Sequence, residues 1–213
     1  MKIRFVFVCE GSSDEGLLPH LERLCLDAGA SEVEGTIPPL GLLSRGKTIE
    51  AQISAALELE PYANVIFIHR DADAPTDSER WQQIAQEIAA LNVTLPWVAV
   101  VPVQELEAWL ILDASAIRQV AENPNGSSTL QIPSPSHVHT ISKPKEHLEM
   151  LLREACRYKG RRFDKFKSRF SHHRRLLLDM LDHQGPLHQV PSWQRLREDV
   201  RDIIARMIQE NAT

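Results

Sequence analysis

The chain has 213 residues, enough for one domain, or one domain with a helical extension. With 43% hydrophobic and 25% charged residues it is an ordinary globular composition, which excludes a disordered chain, and no apolar run approaches the ~20 residues of a membrane span. The net charge of -5 hides an asymmetry: residues 1–142 carry 8 Lys/Arg against 19 Asp/Glu, residues 143–175 carry 12 against 4, and the remainder 4 against 6. An acidic body with one basic segment points to cation binding in the first and a polyanion in the second. Cys9, Cys25 and Cys156 have neither metal spacing nor an even count. They read as reduced thiols in a cytoplasm. The first apolar run is too short for a signal peptide.

The first predicted element is a strand over 3–8, Ile3-Arg4-Phe5-Val6-Phe7-Val8. It runs into Cys9-Glu10-Gly11-Ser12-Ser13-Asp14-Glu15, where Gly11 is expected to allow a sharp exit. A helix follows over 14–29, with Asp14 capping its first turn, Leu17, Leu21, Leu24 and Cys25 at helical spacing, and Gly29 ending it. A weak strand over 33–38 precedes a helix over 48–59, which Pro61 stops. Residues 64–70 form a third buried strand ending in Asp71-Ala72-Asp73. A helix over 77–91 carries Trp81, Ile84, Ile88 and Leu91 on one face. A fourth strand covers 97–103, and a short helix covers 105–112. Residues 123–144 break the pattern with four prolines and clusters of Asn, Gly and Ser, and read as a loop or lid. Helices are expected over 144–157, 162–182 and 191–210, with no strand among them.

Alternation of strand and helix predicts an α/β fold with a Rossmann-like, mostly parallel central sheet of about four strands, helices on both faces and a C-terminal helical extension. The expected division is a catalytic domain over 1–115, the Pro/Ser-rich loop or lid over 116–143, and a basic helical extension over 144–213 packed on the domain. Ligands of parallel sheets bind at the carboxyl ends of the strands. Glu10 follows the first strand and Asp71 and Asp73 the third, so three acids are expected on that edge. Carboxylates brought together repel one another and call for a hard cation, Mg²⁺ or Mn²⁺, with waters and substrate phosphates completing its shell. Taken singly, each acid has a plainer role, as a helix cap or a solvated charge.

Glu10-Gly11-Ser12-Ser13-Asp14 together with Asp71-Ala72-Asp73 resembles the Toprim domain of type II topoisomerases, bacterial primases and related nucleases. The resemblance covers about residues 1–115. It implies that Glu10, Asp71 and Asp73 are the metal-binding and catalytic acids of a Mg²⁺- or Mn²⁺-dependent nuclease. Glu105-Leu106-Glu107-Ala108-Trp109-Leu110 and Pro144-Lys145 are similar to elements of the uncharacterised bacterial DUF4276-type Toprim proteins. That narrower likeness implies a phage-defence effector with an ATPase as partner protein.

Residues two apart on a helix diverge, so one of Glu105 and Glu107 is expected at the metals. Glu105, nearer the strand end, is favoured as support for a second metal. The other reading is a first helical turn enriched in acids to suit the dipole. Trp109 reads as core packing. Lys143, with Lys145 beside it, is a candidate to hold the scissile phosphate and offset developing charge. Lys145, Arg157, Lys159, Arg161, Arg162, Lys165, Lys167, Arg174 and Arg175 are candidate contacts to a nucleic-acid backbone, DNA or RNA. Phe163, Phe166 and Phe170, spaced 3 and 4 apart, read as a core-facing stripe. His69 reads as a buried histidine. The pairs His137/His139 and His172/His173 have no ligand framework around them.

Two other readings stand beside the nuclease. One is a non-catalytic subunit that docks nucleic acid or an ATPase. The other is a P-loop NTPase, since Gly41 to Thr48 satisfies G-x-x-x-x-G-K-T before a predicted helix. Against it, Pro38-Pro39 disrupt the preceding strand, Leu42 and Leu43 are bulky for a phosphate cradle, and the motif leaves Glu10-Gly11 unexplained.

Overall fold

In the computed structural model of the protein, residues 1–39 and 48–211 are described. Four strands form one all-parallel sheet in the order β2-β1-β3-β4. They are β1 (Lys2–Val8), β2 (Glu32–Thr36), β3 (Val65–His69) and β4 (Trp97–Val100). Phe5 to Val8 and all five residues of β3 are buried. Strands buried on successive residues are covered on both faces, which is why they read as continuous apolar runs rather than alternations. Between the strands lie α1 (Leu18–Asp27), α2 (Ile49–Leu59) and α3 (Ser78–Ala90). Val8 pairs with Ile68, so the two central strands end level with each other.

The edge strand β2, none of whose residues is buried, carries exposed ion pairs to β1. Lys2 and Arg4 of β1 pair with Glu32 and Glu34 opposite them. Gly35 sits across from Phe5, and a Cβ there would lie 2.8 Å from a methyl carbon of Leu18. Its N–H donates to Glu22 Oε1 at 3.0 Å, which ties α1 to the sheet.

Contacts divide the chain into two compact units: Met1–Arg70 with Ser78–Val101 and Arg195–Thr213, and Asp71–Asp77 with Pro102–Gln194. These boundaries fall elsewhere than the expected 115 and 143. The cause is local. Residues 71–77 leave β3 and bond to the stretch that leaves β4, with the Ala72 N–H on the Pro102 carbonyl and the Gln104 N–H on the Ala74 carbonyl.

The second unit holds α4 (Glu107–Leu110), α5 (Ala114–Val120), α6 (Pro144–Cys156), α7 (Gly160–Lys167) and α8 (Phe170–Asp179), and the first turn of α9 (Pro191–Asn211). Its core is built on Trp109, fully buried and edge-on to Trp193 at 5.1 Å, with its indole N–H on Ser192 Oγ. Core packing is therefore the role of Trp109. The proline-rich stretch contains a 3₁₀ turn (Pro135–Thr140) and is tied down by Arg118 on the Ser128 carbonyl and Asn123 on the Ala155 carbonyl.

Several element limits differ from expectation, each for a physical reason. The first helix begins as a 3₁₀ turn, Ser12–Leu17, and becomes α-helical only at Leu18; Pro19 has no N–H with which to extend an α-ladder from residue 14. β4 stops at Val100, since Pro102 cannot donate to a ladder and Gln104 is left-handed at φ 57°. The helix expected over 162–182 is two helices, because the Ser168 hydroxyl bonds back to the Lys165 carbonyl and ends α7. α5 lies where no helix was expected, with Asp113 capping the N–H groups of Ser115 and Ala116. Among the described residues, no helix is long and apolar enough to cross a membrane.

Candidate metal centre and basic surface

In the first unit, β1 delivers Cys9 and Glu10 at its carboxyl end. Gly11 has extended backbone (φ -145°, ψ 162°) open to any residue, so its glycine is not required for the turn. The exit is made instead by Asp14, which takes the Gly11 N–H on Oδ2 at 3.1 Å and donates its own N–H to the Gly11 carbonyl. Asp14 therefore serves within the first turn, bonding back to the N-cap Gly11, and is not itself the N-cap residue expected of it. Asp14 Oδ2 also lies 4.0 Å from Nδ1 of His69, the fully buried last residue of β3. Glu10 itself is exposed.

Arg70 follows His69 and is also buried, with its guanidinium on the His69 carbonyl and on Gln52 Oε1. Burial lowers its pKa from the ordinary arginine value, and the nearby charge of Glu10 opposes that shift. A buried arginine stays protonated in proteins, so a fixed positive charge stands close to Glu10. Arg70 falls within the strand expected to be buried over 64–70, but no motif there assigns its side chain a role. Burial also pushes the Cys9 thiol up to about 11, helped by the charges of Asp14 and Glu15.

In the second unit, Asp71 is half-buried, and its Oδ1 accepts the Leu106 N–H at 2.9 Å. Asp73 is exposed and left-handed, at φ 53°. Its N–H donates to the carbonyl of Gln104, which is itself left-handed. Two non-glycine residues at positive φ, bonded to each other, are a local concentration of strain of order 1–3 kcal/mol each, and such strain clusters at functional sites. The sequence singled out Asp73 by its motif but gave no signal for Gln104.

The two glutamates of the Glu-x-Glu element diverge as expected, but each is bonded to protein. Glu105 Oε2 accepts the Lys145 N–H at 3.0 Å and so caps the N-terminus of α6, a position that suits an anion. Glu107 is buried and accepts from Arg174 Nε at 2.8 Å. Arg174 is therefore withdrawn from the candidate nucleic-acid contacts: its guanidinium faces inward, not solvent. Lys143 is exposed and paired with Glu146 Oε1 at 2.7 Å. Hydrogen bonds thus connect Asp71, Asp73, Glu105 and the start of α6 within one unit, while Glu10 belongs to the other.

Among the described residues, no three His, Cys, Asp or Glu side chains are grouped to hold a metal ion. The donor chemistry nevertheless fits Mg²⁺ or Mn²⁺. These are hard cations that prefer carboxylate oxygens, and Mg²⁺ binds through one or two carboxylates plus waters and substrate phosphates rather than in an all-protein cage. Asp71 and Asp73 supply such oxygens.

Of the basic segment, Arg157, Lys159, Arg161, Arg162, Lys165, Lys167 and Arg175 are exposed, as is Lys145. Arg162 lies over the Tyr158 ring, 3.8 Å from its centroid, and bonds its hydroxyl, which in turn donates to Glu122. Arg175 pairs with Asp179 on α8. The aromatic stripe is only partly core: Phe166 is buried, but Phe163 and Phe170 are half-exposed. His137 bonds Ser134 and Ser136, and His173 stacks on Phe166 at 4.1 Å. Gly41 to Lys47 of the G-x-x-x-x-G-K-T match lie outside the described residues; Thr48 caps α2 through Oγ1 to the Ala51 N–H.

The fold is that of an α/β protein with acids following two neighbouring parallel strands, and its second unit carries exposed basic helices. Residues 9–187 match the family described as Domain of unknown function (DUF4276), and the chain belongs to that family. No curated protein and no solved structure matches it.

Proposed function

We propose that the protein is a Mg²⁺- or Mn²⁺-dependent nuclease of the Toprim type, hydrolysing phosphodiester bonds in nucleic acid. The observation that carries this reading is that Glu10 stands two residues past the end of β1 and Asp71-Ala72-Asp73 begins two residues past the end of β3, the two strands being parallel neighbours. The strained backbone at Asp73 and Gln104 supports it.

In this reading Asp71 and Asp73 would supply carboxylate oxygens to the metal, and Glu10, in the other unit, is the third acid that the resemblance assigns to catalysis. The bound cation supplies Lewis-acid stabilisation of the phosphoryl oxygens and a more acidic water. Arg70 fixes the charge balance beside Glu10. Glu105 positions the start of α6, and through it Lys143 and Lys145, for the substrate phosphates. The exposed cations of 157–175 hold the backbone of the polyanion. A cytoplasmic setting, an ATPase partner and a role in phage defence belong to the same proposal.

The test is cleavage of labelled single-stranded DNA, double-stranded DNA and tRNA-sized RNA with Mg²⁺ or Mn²⁺. Wild type is expected to cut at least one of them, and Asp71→Asn none. Equal cleavage by both, or cleavage insensitive to EDTA, overturns the assignment.

A further inference from the structure

The stripe Phe163, Phe166, Phe170 leads out of the core into a cavity. Its volume is about 240 Å³, and it lies among α6, α7 and α8. The three phenylalanines line it with Met150, Leu152 and His173. Pockets that bury a drug-sized ligand run to ~300–1,000 Å³, so this one suits a single ring system. The rings give it flat, polarisable surfaces. His173 adds a fourth ring, stacked on Phe166, and burial lowers its pKa, so it adds no charge near neutral pH.

Four of the ten lining side chains are charged. Arg153 lies against the Phe163 ring, its guanidinium carbon 5.3 Å from the centroid, and Lys167 also lines the cavity. Glu149 and Glu146 also reach it, the latter already paired with Lys143. The cavity is set in the segment that carries 12 Lys/Arg against 4 acids, with Arg161, Lys165 and Lys167 exposed on α7. A neutral aromatic ring carried on an anionic chain meets both requirements at once. The lining itself balances Arg153 and Lys167 against Glu149 and Glu146, so the positive charge that an anionic chain would meet is the exposed face of α7.

We infer that the cavity takes a nucleobase from a single strand, with the neighbouring phosphates on Arg153, Lys167 and the exposed cations of α7. This rests on the nucleic-acid reading above and narrows it: the substrate presents unpaired bases. Stacking on aromatic side chains is tolerant of base identity, so preference for single strands is expected without sequence preference.

The experiment measures binding in EDTA, where no metal-dependent cleavage occurs, with fluorescein-labelled single-stranded and fully paired 20-mers of DNA and RNA. Phe163→Leu with Phe170→Leu keeps an apolar lining without the rings. Loss of two stacking faces is expected to weaken single-strand binding about 5- to 150-fold and to leave duplex binding unchanged. Phe163→Trp in the Phe170→Leu background is expected to recover part of the loss. An oligonucleotide with 2-aminopurine is expected to be quenched by wild type and not by the double leucine variant. Single-strand affinity unchanged in the double variant overturns the inference while leaving the nuclease reading standing. Binding of a hydrophobic peptide in preference to oligonucleotide also overturns it. No binding to any nucleic acid, with no cleavage, removes both readings together.

Discussion

Arg174 separates two accounts of the basic segment. Its side chain is 9% exposed and that of its partner Glu107 7%, with Nε 2.8 Å from Oε1. One residue along α8, Arg175 makes a comparable pair with Asp179 at 3.0 Å, but with exposures of 51% and 49%. Exposed pairs are worth about 0–1 kcal/mol, because water screens them. Breaking a buried pair leaves a carboxylate without its counter-charge and costs about 3–5 kcal/mol. Arg174→Met is therefore expected to lose several kcal/mol in urea unfolding at pH 7.5, and Arg175→Met less than about 1 kcal/mol. Adding Glu107→Leu to Arg174→Met removes the stranded charge and should restore most of the loss. Nucleic-acid affinity per folded molecule should stay at the wild-type value in Arg174→Met. Equal unfolding midpoints for the two methionine variants, or a loss of affinity confined to Arg174→Met, would refute the placement of Arg174 inside the second unit.

Asp71 holds the Leu106 N–H, so Asp71→Ala removes a hydrogen bond as well as a charge and is expected to cost about 1 kcal/mol of stability. Asp71→Asn keeps an acceptor there and should unfold near the wild-type midpoint while losing cleavage; equal destabilisation of the two would contradict the bond's role. Gly35→Ala drives a methyl into Phe5 and Leu18, and a cost of about 1–3 kcal/mol is expected in the same unfolding assay. The Cys9 thiol, pushed up from 9.0 to about 11, should hold about 100-fold less thiolate at pH 8 than in the unfolded chain. Its alkylation by iodoacetamide, followed by peptide mass spectrometry, should be slowed accordingly and keep rising toward pH 11. Cys9 is half-buried, and labelling as fast as in denaturant would refute the raised pKa.

The sheet was legible because two strands are buried on both faces and so appear as unbroken apolar runs, Phe5 to Val8 and Val65 to Ile68, each ending where acids begin. Helix limits were legible where one residue decides them, as with Thr48 capping α2 and Gly29, at φ 104°, closing α1. The division into units was hidden because it depends on backbone pairing of 71–77 with 102–104, which leaves no periodicity. The roles of Glu105 and Glu107 were hidden for a related reason. A cap on α6 and a buried ion pair with α8 join residues 40 and 67 positions apart, and the short-range pattern holds neither. Likewise the 3–4 spacing of Phe163, Phe166 and Phe170 reads as one helix face, whereas the first two lie on α7 and Phe170 on α8, and the spacing does not reveal the cavity they line.

The most direct test of the account is metal-dependent cleavage by purified wild-type protein and by Asp71→Asn, on labelled single-stranded DNA, double-stranded DNA and RNA, with Mg²⁺, Mn²⁺ or EDTA. The account predicts cutting by wild type that requires the metal, falls to background in Asp71→Asn, and favours a substrate with unpaired bases. Cleavage that survives in the folded Asp71→Asn variant, or an intact substrate in every condition while that variant and wild type bind nucleic acid equally, would contradict it.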